Sequence, residues 1–138
     1  MADLKEKVQL DIENISRVLE ELADCGDLTT LSTLELAGVA TLLHNYYSGC
    51  ENILKRILIE NNITLPQGSA WHKQLLILSV ENKIISPQVK EKLGEFMAFW
   101  HFFSHAYALD LYADRMEPLV KSAPLLFDAF RNEIRKHY

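Results

Sequence analysis

The sequence predicts an all-α fold, an antiparallel bundle of about five helices. Three observations carry that prediction. Apolar residues recur at steps of three and four along most of the chain, the spacing of one helical face. Only 5 Gly and 4 Pro occur in 138 residues, too few turn-formers for many short strands. Serines stand where helices should begin, one of them followed by proline. The length suits one domain, residues 1–138, with its own core, and a 49% hydrophobic, 24% charged composition is that of an ordinary globular protein.

The first helix is expected from about Asp3 to Asp24. Leu4, Val8, Ile15, Leu19 and Leu22 form its apolar stripe and charge fills the other side. Gly26 is its expected breaker. The second runs from about Ser32 to Asn61, with Glu35 placed three residues after Ser32 as in a capping box. Leu36, Val39, Leu43, Tyr46, Cys50, Ile53 and Ile57 alternate steps of three and four, a seam suited to a neighbouring helix at a shallow angle. A loop with Pro66 and Gly68 leads to a short third helix from about Ala70 to Glu81. The fourth takes Ser86 as N-cap and Pro87 as its first residue, and runs to about Ala108. The last extends from about Asp114 to the C-terminus. Pro118 is expected in its first turn, with Leu119, Ala123, Leu126, Phe130 and Ile134 inward.

Several function classes are disfavoured at once. A formal net charge of −5 argues against strong, non-specific nucleic-acid binding, though not against a local basic site. Cys25 and Cys50 form no metal-binding pair and are expected to be free thiols in a reducing cytoplasm. The charged N-terminus does not read as a signal peptide. No run of about 18 apolar residues predicts a membrane span. No glycine-rich phosphate loop, GxSxG or HExxH is present, and no cofactor is implied.

The unusual stretch is Phe99 to Tyr112, FWHFFSHAYALDLY. On a helical period Leu93, Phe96, Trp100, Phe103 and Tyr107 fall on one bulky stripe. Gly94, Ala98, His101, His105 and Ala108 fall on the next. Small residues allow a second helix to come close, and so much apolar surface exceeds what one bundle covers. A homodimer through the fourth helix is therefore expected. His101 and His105, four apart, share a face as metal ligands can, but no third ligand follows nearby and no metal is expected.

At this stretch the chain resembles the HepT-like toxins of the HEPN superfamily. Their motif is R-x4-H-x-Y, and His105, Ala106 and Tyr107 supply H-x-Y here. HNYYSGCENILKRI (His44–Ile57), LPQGSAWHKQLL (Leu65–Leu76) and MEPLV (Met116–Val120) resemble that branch in the same order, so the likeness extends from about Leu36 onward. The resemblance implies an all-α dimer, metal-free RNA cleavage with His105 as acid/base group, and a nucleotidyltransferase antitoxin as partner. In that family the partner attaches AMP to the motif tyrosine, so the resemblance makes Tyr107 the expected acceptor.

The sequence departs from the motif at one place: Trp100 stands at the arginine position. Cleavage of RNA without a metal needs a base, an acid and positive charge for the crowded phosphorane. Imidazole titrates near neutrality and guanidinium stays charged. Indole offers an N–H and no charge. Weak or absent activity is expected, and a packing role on the bulky stripe accounts for Trp100 as well. Arg131, separated from His137 by five residues, also precedes a His-Tyr pair, but lies in a terminal helix prone to fraying. Asp110 is either a supporting polar group or a helix-end residue. Glu51, beside the apolar seam, contacts an imidazole or an arginine, or is solvated. Trp71 is expected to anchor the third helix, and Tyr46 and Tyr47 to lie in the core or an interface. The rival to the enzyme is a non-catalytic binding protein that engages the partner, nucleotide or RNA in the old cleft.

Overall fold

The computed structural model describes residues 3–138, and among them there is no strand. Five α-helices follow one another: α1 (Leu4–Ala23), α2 (Thr33–Glu60), α3 (Trp71–Glu81), α4 (Pro87–His105) and α5 (Ala113–Ile134). Single 3-10 turns occupy Leu28–Thr30, Ala108–Asp110 and Arg135–His137. The expected all-α bundle is the observed one.

Local chemistry sets most helix starts. Asp3 accepts the Glu6 amide hydrogen bond at 2.8 Å and caps α1. Ser32 and Glu35 complete the capping box reciprocally at 3.1 and 3.0 Å. Ser86 caps α4 ahead of Pro87, whose missing N–H would have no helical partner there anyway. Gly26 adopts φ +67°, the left-handed conformation that glycine enters without a Cβ penalty.

The long helix α2 is the centre of the molecule and packs against every other helix. Val39, Leu43, Tyr46, Cys50, Ile53 and Ile57 of its seam are all buried. The Tyr46 hydroxyl donates to the Ala123 carbonyl at 3.0 Å, pinning α2 to α5. Against α1, the backbone at Gly49 comes so close that an added Cβ would lie 2.5 Å from Ile15 Cγ1. Arg56 pairs with Asp11 at 2.8 Å across the same contact. At the far end the Glu133 carboxylate accepts the Ser86 amide at 2.7 Å and ties α5 to the start of α4.

Two boundaries differ from expectation. The fourth helix ends at His105, three residues earlier than the periodicity suggested. Ala106 turns to φ −95°, ψ 154°, so Tyr107 is not on the helix and does not extend the bulky stripe. The break lets Leu111 reach the core, where it is buried. Tertiary burial outweighs continued helical periodicity here. Helix α5 begins at Ala113, which makes Pro118 its sixth residue rather than a first-turn one, and it yields to a 3-10 turn at Arg135. Pro118 and Pro124 are both exposed. The carbonyls they leave without a donor can therefore turn to water.

Candidate functional site

Four of the five histidines collect around the second half of α4. Helix α2 contributes the first. Its residues His44, Glu51 and Lys55 stand at i, i+7 and i+11, one polar stripe beside the apolar seam. This stripe faces α3 and α4. His44 stacks on Trp100 with centroids 5.7 Å apart and planes 15° from parallel. Glu51 is buried and its carboxylate meets His72 Nδ1 at 2.6 Å. An ionised carboxylate only accepts, so that nitrogen carries the hydrogen and the ring orientation is fixed. Lys55 lies 4.3 Å over the Trp71 ring.

Helix α3 contributes Trp71 and His72 through its first turn. Their rings are 3.6 Å apart, and His72 then leans on Trp100 at 4.3 Å. Trp100 is thus held between two imidazoles, half-buried, and its indole is committed to packing.

One step round α4 the surface changes. His101 and His105 are exposed, with ring centroids 5.4 Å apart in an edge-on arrangement. Two hollows meet at His101 and Phe102. One, of about 550 Å³, lies between the start of α3 and α4 and includes His72. The other, of about 570 Å³, lies between the end of α4 and the start of α5; it is lined by His101, Phe102, His105, Ala106, Asp110, Tyr112 and Arg115. Two imidazoles, a guanidinium and a carboxylate therefore share one open cleft.

Beneath this surface the environment is apolar. Burial, then the neighbouring Glu51 carboxylate, holds the Tyr47 phenol well above its ordinary range. Its hydroxyl is buried without a hydrogen-bond partner among the described residues. Burial first, and Glu51 second, likewise pushes the Cys50 thiol up. Neither group is available as a nucleophile. Among the described residues no three His, Cys, Asp or Glu side chains are grouped to hold a metal ion.

The structure therefore sorts the residues singled out from the sequence. His101, His105 and Asp110 line one cleft. Trp100 does not line it; its ring packs with His44 and His72 and lies 6.1 Å from that of His101, at the edge of the cleft. Glu51 contacts an imidazole, that of His72. Tyr107 is 81% exposed and packs on neither the bulky stripe nor Phe103 as the helical period suggested. Sequence reasoning assigns no role to His44 or Arg115. The stripe of His44, Glu51 and Lys55 was present in the sequence as a signal for the first. Nothing local signalled the second, because Arg115 reaches the cleft only through the turn after α4.

The family profile described as HepT-like protein matches residues 38–138. The chain belongs to the HepT-like family. The match begins inside α2, takes in every residue of the histidine cluster and leaves α1 outside it. The HepT-like portion is therefore the four-helix unit α2–α5, with α1 laid against it through Gly49 and Arg56. No curated protein and no solved structure matches the chain. No described helix of this HepT-like protein is long and apolar enough to cross a membrane.

Proposed function

We propose that this protein is the toxin-type component of a cytoplasmic toxin–antitoxin module, with metal-free endoribonuclease chemistry weakened by Trp100. The observation that carries the reading is the exposed His101–His105 pair in an open cleft of a HepT-like chain. In the reaction, one neutral imidazole takes the 2′-OH proton of RNA. The 2′ oxygen then bonds to phosphorus, and the 5′ oxygen leaves with a proton from a second imidazole. The products are a 2′,3′-cyclic phosphate and a 5′-OH end. Histidine suits both steps because it titrates near neutrality.

The step lacking support is charge stabilisation. Trp100 is uncharged and packed against His44 and His72. Loss of such a donor costs about 10²–10³ in rate. This packing also favours a second reading, a disarmed copy that binds RNA or its partner without cutting. Under both readings the exposed face of α4 pairs with a second copy of the chain. The protruding Tyr107 is then the accessible acceptor for AMP from a nucleotidyltransferase antitoxin. A bulky anion at that position would repel RNA phosphates.

Cleavage of mixed-sequence RNA in EDTA tests the proposal, using the unaltered protein, Trp100→Arg, and Trp100→Arg/His105→Ala. Trp100→Arg is expected to cut about 10²–10³ faster than the unaltered protein. The added His105→Ala change should abolish the gain. Failure of Trp100→Arg to cut at all would remove the ribonuclease reading.

A further inference from the structure

Arg115 is a cation at a place where the fold gains little from a charge. It stands third in α5, within the first turn, where the helix macrodipole disfavours a cation. Among the described residues no carboxylate pairs with it. It is exposed, and its guanidinium rests 5.9 Å over the Tyr112 ring. It lines the same cleft as His101 and His105.

We infer that Arg115 is the phosphate-binding residue of this cleft, and that the ligand is single-stranded RNA, an inference that rests on the ribonuclease-derived reading above. Guanidinium binds a phosphodiester through two N–H groups and keeps its charge at every physiological pH. The cleft also carries the second element that single-stranded nucleic acid uses, exposed rings on which bases stack. Phe102 is 40% and Tyr112 54% exposed, and both line it. Asp110 opposes a phosphate from the same wall. Arg115 therefore leaves this chain able to hold RNA although Trp100 has taken the motif arginine's position.

The test is fluorescence anisotropy of the full-length protein with a short 2′-O-methyl RNA, which keeps its phosphates and cannot be cleaved. Titrations at several salt concentrations compare the unaltered protein with Arg115→Ala, Arg115→Lys and Asp110→Asn. Arg115→Ala is expected to weaken binding roughly tenfold and to lower the salt slope by about 0.7, one phosphate contact on a single strand. Arg115→Lys should retain the slope while losing part of the affinity, which a merely structural role would not produce. Asp110→Asn should tighten binding. An unchanged affinity and slope in Arg115→Ala overturns the inference, as does absence of binding by the unaltered protein. Cleavage by Trp100→Arg together with Arg115-independent binding leaves the ribonuclease reading standing and removes only this one. Arg115-dependent binding without any cleavage does the reverse.

Discussion

The two halves of α4 are built for different ends. In the first half Val89, Leu93 and Phe96 are buried against α2, α3 and α5. In the second half no residue from Met97 to His105 is fully buried. The same helix thus passes from core to surface while its sequence becomes more aromatic, not less. Apolar content alone does not mark the core. Rings at Phe96 and Tyr46, 4.9 Å apart, fill space inside the bundle. Rings at Phe102 and Tyr112 stand beside imidazoles and a guanidinium, where a ligand or a second chain can reach them.

The contrast can be broken most directly at its two phenylalanines. Phe96→Ala should cost about 3–5 kcal/mol in folding stability, whereas Phe102→Ala should stay within about 0.5 kcal/mol. Denaturant unfolding of both variants measures this. Comparable losses would mean that a second copy buries Phe102 as firmly as the core buries Phe96.

The histidines give the next largest effect. His72→Ala leaves the buried Glu51 carboxylate without its donor, and a loss of about 1–3 kcal/mol is expected. His105→Ala removes an exposed ring and should change thermal stability little while removing the chemistry proposed above. If the two variants unfold alike, the Glu51–His72 contact contributes nothing to the fold.

A pair of glycines in α2 separates close packing from helix propensity. Gly49→Ala drives a methyl group into Ile15 and should lose about 1–3 kcal/mol despite alanine's better propensity. Gly38 has nothing within 4 Å of an added Cβ, and Gly38→Ala should gain about 0.5–1 kcal/mol. A gain at both positions would show that α1 can move away from α2.

The smallest perturbation uses the thiols as they are. Burial raises both above their ordinary value, far more for the fully buried Cys50 than for the half-buried Cys25. Thiolate is therefore scarcer in the folded protein than in the unfolded chain at any mildly alkaline pH. At pH 8 Ellman's reagent should label Cys25 slowly and Cys50 only after denaturant is added. Rapid labelling of both in the folded state would mean that α2 opens.

Which of these features could be read without coordinates follows from how far apart the participating residues lie. Caps and periodicity are local, so Ser32 with Glu35, Ser86 with Pro87 and the seam from Val39 to Ile57 were legible along the chain. The stripe of His44, Glu51 and Lys55 was equally legible as a helical face, but its partners His72 and Trp100 come from two other helices. Periodicity places the end of α4 too late, because it continues through Tyr107 and Ala108 while the helical backbone stops at His105. The demand of Leu111 for the core, invisible to a window along one helix, ends it.

The sequence by itself determined the helices, their inward faces, the HepT-like likeness and the oddity of Trp100 at the motif position. All of these depend on residue type and on spacing within a few turns. Only the tertiary structure decided that Trp100 turns its ring to His44 and His72 while His101 and His105 open to a cleft with Arg115 and Asp110. A step of about 100° per residue separates neighbours on a helix. Which way each neighbour faces is then fixed by the elements packed around it, and the chain order does not contain that packing.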